Sequence, residues 1–355
     1  MINRLHEEAM RVLRDRLAPL VPYMEDDAVN EIMINAPGQY FVEKRGVIEK
    51  LDIELPQLAI DTAIRSVMAI NDKDTGHIMD ARMPGLRVAC ALPPVAVHGP
   101  MMVIRKHARQ LITLADYVQT GAFSRDIHVP PPSMREEEAQ KYEADAARGG
   151  ESLAEFLVWA VRNKKNLLVA GGTSSGKTTL LSSLLNEIPK DERIITCEDT
   201  NEIHLTHPNI VQYEAYSVPG MPAPITIRDL IRLCLRSRPD RIVVGEIRGA
   251  EAYDFLDALN TGHGGSLCTL HADGAFLALR RLESLIRMSP TATNLPLPDM
   301  RAAIASAIDY VIYQSRQNGV RAPEQIIALE GVNSEGDYHW RGVYSRFPSH
   351  RQAAR

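Results

Sequence analysis

The 355-residue sequence predicts an α/β protein built on a mainly parallel sheet, preceded by a smaller α+β domain. Three observations carry this. From residue 166 onward, short apolar runs alternate with amphipathic helical stretches, the βαβ pattern of a parallel sheet. The first of those runs leads into Gly171-Gly172-Thr173-Ser174-Ser175-Gly176-Lys177-Thr178. This octapeptide fits the phosphate-binding pattern G-x-x-x-x-G-K-[ST] in the strand–loop–helix setting it requires. Residues 126–150 differ in character from both flanks: Pro130-Pro131-Pro132, then Arg135-Glu136-Glu137-Glu138, then a charged, alanine-rich stretch ending at Gly149-Gly150.

In chain order, residues 2–18 place Leu5, Val12, Leu13 and Leu17 roughly on one helical face. β-runs follow at 31–35 and 40–44, and Arg45-Gly46 turns the second into 47–51. Residues 57–70 are again helix-like, and 86–92 and 101–106 read as strands, separated by Pro93-Pro94 and His98-Gly99-Pro100. Residues 1–125 therefore form the N-terminal domain. Residues 126–150 form a linker or exposed helix, because they hold little apolar surface to bury. Ser152-x-x-Glu155 makes a capping box that opens a helix over 153–162. The second domain, 151–335, carries strands at 166–170, 193–197, 241–245 and 265–269. Helices at about 177–187, 227–237, 250–260 and 274–287 alternate with them. A helix over 299–308 and β-runs at 310–314 and 325–329 complete it. Residues 336–355 are left as a tail, with the last five expected to be disordered.

The hydrophobic fraction of 45% is that of a globular protein, and a net charge of −5 provides no basic field for nucleic acid. Cys90, Cys197, Cys234 and Cys268 sit apart in apolar runs, so buried free thiols in a reducing cytoplasm are expected. The N-terminus lacks a signal-peptide core, and no stretch approaches 18 consecutive apolar residues, so any membrane association is peripheral.

The chemistry centres on the glycine loop. Backbone N–H groups from Gly171 to Thr179 (Gly171, Gly172, Thr173, Ser174, Ser175, Gly176, Lys177, Thr178 and Thr179) cradle phosphate oxygens at a helix N-terminus. Lys177 reaches the β- and γ-phosphates, and the Thr178 hydroxyl holds Mg²⁺. The next strand ends in Glu198, Asp199 and Glu202, facing the ligand crevice where they can organise metal and water. The strand from Arg241 ends in Gly245-Glu246, where glycine occupies the place at which a metal-binding aspartate usually stands. Glu246 is therefore the first choice for the residue that polarises attacking water, with the reverse assignment to the acidic loop left open. His263 and His271 flank a short strand at a spacing that fits no local zinc pattern. Either is a γ-phosphate contact or a packed, hydrogen-bonded histidine. Arg228, Arg232, Arg236, Arg238, Arg241 and Arg248 supply surface charge or an arginine finger across a subunit boundary.

These boxes, in this order, resemble the secretion and traffic ATPase superfamily of type II and type IV secretion: the glycine loop, Glu198-Asp-Thr-x-Glu202, Leu235-Arg-x-Arg-Pro-Asp-Arg-Ile-Val-Val-Gly-Glu-Ile-Arg248, and Thr261-Gly-His…Thr-Leu-His271. Thr200, where pilus motors usually carry proline, is similar to the TrbB-like conjugative transfer branch. So are Asp80-Ala-Arg-Met-Pro-Gly-Leu-Arg-Val88 and Met102-Val-Ile-Arg-Lys106. The resemblance implies a RecA-like motor domain joined to the N-terminal domain in a homo-hexameric ring, with ATP and Mg²⁺ bound between the domains. Arg87 and Arg105 then reach the phosphates from the N-terminal domain. It also implies a cytoplasmic motor peripherally attached to the inner membrane, working with secretion-channel components; from the net charge of −5, no direct nucleic-acid contact is expected. A pilus extension or retraction motor, a type II secretion motor, and a nucleotide-switched structural ring without turnover are the alternatives. A DNA helicase is disfavoured by the acidic balance and the lack of a basic–aromatic groove.

Overall fold

The computed structural model describes residues 2–70, 76–107, 113–123, 132–219, 221 and 223–347. Helices α1 (Ile2–Arg16), α2 (Val21–Glu25) and α3 (Gln57–Ile70) accompany strands β1 (Val29–Ala36), β2 (Gln39–Lys44), β3 (Val47–Leu51), β4 (Ile78–Met83), β5 (Leu86–Ala91) and β6 (Met101–Lys106). The strands pair antiparallel in the order β3-β2-β1-β6-β5-β4. Both faces of this sheet are buried, and alternation decides which side chain goes where. Ile32, Ile34, Val42, Val88 and Ile104 pack with Leu13, Leu17, Ile60 and Ile64. Met33, Phe41, Ala89, Met101 and Val103, one residue out of phase, join the core of the second half of the chain.

A short helix, α4 (Leu114–Gln119), and a longer one, α5 (Pro132–Ala146), lead into α6 (Gly150–Arg162). The second sheet follows, with β7 (Leu167–Ala170), α7 (Lys177–Asn186), β8 (Ile194–Glu198), β9 (Ile210–Glu214), α8 (Ile227–Cys234), β10 (Arg241–Val244), α9 (Glu251–Asn260) and β11 (Leu267–Leu270). Then come α10 (Ala275–Ile286), α11 (Leu297–Ala307), β12 (Tyr310–Gln317), β13 (Val320–Val332) and β14 (Tyr338–Ser345). The eight strands lie in the order β14-β13-β12-β7-β11-β10-β8-β9. They are parallel from β12 to β9, with an antiparallel β13–β14 addition.

Several expectations are corrected. The stretch read as a linker or exposed helix contains α5, which docks on the second sheet instead of standing free. Ala146 is fully buried, and the buried Glu143 accepts bonds from the Tyr310 hydroxyl (2.7 Å) and Arg341 Nη2 (2.6 Å). A glutamate counted as solvated surface thus becomes an anchor once the fold supplies its donors. Residues 126–131 lie outside the described residues. The tail read from 336 begins with β14, paired to β13 along its length, and the terminal five residues also lie outside the described set. The capping box at Ser152 is not formed. The helix starts earlier, at Gly150 behind Gly149 (φ 72°), with no side-chain cap, which leaves Ser152 and Glu155 inside it. Strands β4 and β9 were not anticipated. All four cysteines are free and buried as expected.

The two sheets meet at one edge. Ala96 bridges Tyr213 of β9, Val97 N–H donates to Gln212 O (3.1 Å), and Asn35 Nδ2 donates to Asn209 Oδ1 (2.8 Å). The fully buried Arg193, at the start of β8, donates to Asn35, to Asn209 and to the Ser237 carbonyl. Arg238 reaches Glu43 of β2, and Arg236 lies 3.6 Å from Asp80 of β4.

Candidate active site

The glycine loop runs from the end of β7 to α7, which begins at Lys177 as expected. Gly176 is the N-cap in the left-handed region and no side chain caps the helix, so its first N–H groups stay open to an anion. At Gly171 only glycine fits, because a Cβ there would collide with the Gln314 carbonyl and the Ser175 hydroxyl. Ser174 holds a positive φ of 60°, the kind of backbone strain that clusters at ligand clamps.

Strand register gathers the remaining groups. Ala170 pairs with Leu270, so Gly171 and His271 emerge side by side; Val244 pairs with Cys268, which brings Glu246 beside them. Lys177 Nζ donates to Gly171 O (2.9 Å) and Gly172 O (3.2 Å) and lies 3.4 Å from His271 Nδ1. Because an ammonium only donates, Nδ1 acts as the acceptor there and Nε2 carries the proton. His271 Nε2 sits 2.8 Å from Glu246 Oε1. Glu246 Oε2 accepts from Arg248 Nη2 (2.6 Å), and Arg248 Nη1 reaches Asp199 Oδ2 (3.2 Å). One connected line, Lys177–His271–Glu246–Arg248–Asp199, thus crosses the C-terminal ends of β7, β11, β10 and β8. Burial lowers the pKa of Lys177, against the pull of Glu246. Burial raises that of Asp199, against the pull of Arg248.

Glu198 is placed differently. Its Oε2 accepts the N–H groups of Glu202 (2.9 Å) and Ile203 (3.0 Å), and Thr196 Oγ1 donates to Oε1 (3.3 Å). The side chain is buried, and burial raises its pKa despite those bonds. It therefore shapes the acidic loop from within, while the Glu202 residue is exposed. Its position also explains Gly245: a Cβ there would come within 2.9 Å of Glu198 Cγ. The space beside Gly245 is filled by the Glu198 side chain from the neighbouring strand.

His263 is the packed histidine of the pair, its Nδ1 3.1 Å from the Ala258 carbonyl. Arg228 and Arg232 share Asp254, and Arg241 is fully buried against Glu192 and the Gly265 carbonyl. Arg87 and Arg105 are cross-strand neighbours on β5 and β6, held by Asp80 (2.6 Å) and Glu31 (2.6 Å). Asp80 also faces Arg236, just ahead of β10, so this part of the N-terminal sheet adjoins the strand-start end of the parallel sheet. The glycine loop lies at the other end, and the structure does not bring the two arginines to it. Three neighbours of the loop were not anticipated: Asp273, 3.8 Å from where a Gly172 Cβ would stand, and Gln314 and Arg321, both against Gly176. No local sequence pattern marks them: Asp273 arrives through β11 pairing with β7, and Gln314 and Arg321 through β12 pairing with β7. An open cavity of about 480 Å³ lies on the far side of Arg248, lined by Asp199, Tyr216, Thr226 and Glu251 among others.

Residues 134–318 match the family described as Type II/IV secretion system protein. The chain is 35% identical over 314 residues (86% of this chain, 85% of the relative) to the type IV secretion system protein VirB11 of Brucella suis. It is 33% identical over 326 residues (88% and 93%) to the type IV secretion system protein PtlH of Bordetella pertussis. Its fold is similar, at a TM-score of 0.79 and 30% identity, to the crystal structure of the VirB11 ATPase from the Brucella suis type IV secretion system in complex with sulphate, covering 90% of this chain and 96% of that one. The chain belongs to the type II/IV secretion system protein family.

Proposed function

We propose that this family member is a Mg²⁺-dependent ATP-hydrolysing motor of a type IV secretion or conjugative transfer system. It would work as a homo-hexamer held peripherally at the inner membrane by channel components. The observation that carries the chemistry is the line from the glycine loop through Lys177 and His271 to Glu246. The open N–H groups of α7 and the loop receive the phosphates, and Lys177 exchanges the Gly171 and Gly172 carbonyls for phosphate oxygens. Glu246, held between His271 and Arg248, orients the attacking water and accepts its proton as the γ-phosphate bond breaks.

Among the described residues no cluster of three or more His, Cys, Asp or Glu side chains is arranged to hold a metal. Thr178, on the first turn of α7, suits Mg²⁺, which is commonly bound by few protein groups together with substrate phosphates. Bound there, the ion would neutralise phosphate charge, with Asp199 as a candidate outer partner. The sulphate in the VirB11 crystal structure is an anion of phosphate's shape and supports the reading. No helix among the described residues is long and apolar enough to cross a membrane.

Lys177→Ala tests the reading: Mg²⁺-dependent phosphate release from ATP is expected to fall to background. Unchanged turnover in that variant would overturn it.

A further inference from the structure

The hairpin of β12 and β13 overhangs the glycine loop. β12 pairs with β7 only from Tyr310 to Tyr313, so residues 314–317 and their partners 320–323 project beyond the strand end where the loop begins. A two-residue turn, Asn318 (φ 52°) and Gly319 (φ 81°), closes the tip in a conformation suited to a tight hairpin. Arg321 lies across Gly176: a Cβ on that glycine would stand 3.1 Å from Arg321 Cδ and 3.6 Å from Gln314 Nε2.

Two features show that this contact is incomplete in the protein alone. Arg321 faces Arg316 directly across the hairpin, and neither has a carboxylate partner among the described residues. Like charges opposed on adjacent strands destabilise the pair, a cost that a shared anion removes. Beneath them, Ser175 Oγ and Gln314 Oε1 are buried polar atoms with no hydrogen-bond partner, on residues only 3–5% exposed. Buried polar atoms are normally satisfied, so this floor is built for a polar occupant.

The side of the loop identifies which part of the occupant is involved. β7 lies between β11 and β12. Lys177, His271 and Glu246 face the β11 side, where the terminal phosphate reacts. The hairpin is on the opposite flank, toward which the rest of a nucleotide extends.

We propose that Arg321 is a nucleotide-binding residue that grips the α- and β-phosphates, on the flank opposite Glu246, with Ser175 and Gln314 forming the polar floor beneath. This rests on the nucleotide reading above and adds a contact from the C-terminal hairpin. It predicts a binding role shared by nucleoside di- and triphosphates, not a role in breaking the γ-phosphate bond.

The test compares wild type, Arg321→Ala, Arg321→Lys and Lys177→Ala as full-length proteins. Affinities for ATP, ADP, GDP and inorganic pyrophosphate are measured by calorimetry, together with steady-state turnover. A hydrogen bond to a charged group corresponds to roughly a tenfold or larger change in Kd. Arg321→Ala is expected to weaken all four ligands by that factor and to raise the KM for ATP more than it lowers kcat, and Arg321→Lys to recover part of the loss. The proposal is overturned if ADP affinity is unchanged while kcat falls, since that makes Arg321 a γ-phosphate group. It is also overturned if ADP weakens but pyrophosphate does not, since that assigns Arg321 to the base. Full ADP affinity in Arg321→Ala, with binding lost in Lys177→Ala, leaves the nucleotide reading standing and removes Arg321 alone.

Discussion

Glu246→Gln separates the two carboxylate groups that compete for the attacking water. The substitution preserves shape and removes charge and basicity. Glu246 makes two contacts, at 2.8 Å to His271 Nε2 and 2.6 Å to Arg248. The Arg248 side chain is 63% exposed, so its lost ion pair costs about 0–1 kcal/mol of stability. The catalytic cost is larger. A positioned general base contributes about 10²–10⁴-fold, equivalent to about 3–5 kcal/mol of activation free energy. The amide adds a second effect. With its oxygen toward Arg248 it presents N–H groups to His271 Nε2, which then becomes an acceptor and moves the imidazole proton to Nδ1, facing the Lys177 ammonium. The assay is phosphate release at saturating Mg²⁺ and ATP, with ADP affinity measured in parallel. The expected outcome is kcat down by at least about a hundredfold, ADP affinity nearly unchanged and thermal unfolding close to wild type. Turnover within threefold of wild type would refute the assignment, and a collapse in Glu198→Gln instead would pass the role to the acidic loop.

Two further predictions concern stability. Glu143→Ala strands the buried Tyr310 hydroxyl and deprives Arg341 of one carboxylate, though Arg341 keeps Glu330. The expected loss is about 2–4 kcal/mol in urea unfolding, most of it from the hydrogen bond to a charged acceptor; a loss below about 0.5 kcal/mol would show that α5 is not docked. Glu198 has its pKa raised by burial above the ordinary 4.5, so the folded state holds its proton more tightly than the unfolded chain. Its ionisation therefore costs stability as pH rises from about 4.5 through the raised folded value. Relative to Glu198→Gln, the wild type is expected to lose stability across that rise, and a difference between the two that is flat with pH would contradict the burial.

The readable parts of the site are those whose chemistry is contiguous. The glycine loop announces itself because backbone N–H groups, lysine and threonine must follow one another along the chain. His271 and Glu246 were nameable from their boxes, but their 2.8 Å contact depends on the parallel register of β10 and β11. The same limit hid β4, whose Ile-Met-Asp-Ala-Arg-Met pattern mixes charges into a strand that buries alternate residues at a sheet edge. It also made α5 look solvated, because a buried glutamate is indistinguishable from a surface one until Tyr310 and Arg341, far along the chain, arrive beside it. Gln314 and Arg321 reach Gly176 only through a strand pairing that spans more than a hundred residues.

The two ends of β8 tie the N-terminal sheet to the catalytic side. Arg193, at its start, is fully buried, with burial pulling its pKa down to about 10, and it donates to Asn35, Asn209 and the Ser237 carbonyl. Removing a partner from a buried charge is strongly unfavourable, so this junction resists opening. At the other end, Glu198 and Asp199 shape the acidic loop, about 17 Å away for a five-residue strand at roughly 3.3 Å per residue. Arg87 and Arg105 ride on the N-terminal sheet at the Arg193 end. For either to meet phosphates at the glycine loop of its own chain, the Asn35–Arg193 contact must break and the sheet must travel the length of the strands. Meeting the loop of a neighbouring subunit requires no such rupture. The phosphate roles expected of these two arginines therefore depend on the proposed ring, and a chain that stays monomeric while hydrolysing ATP at full rate would remove them.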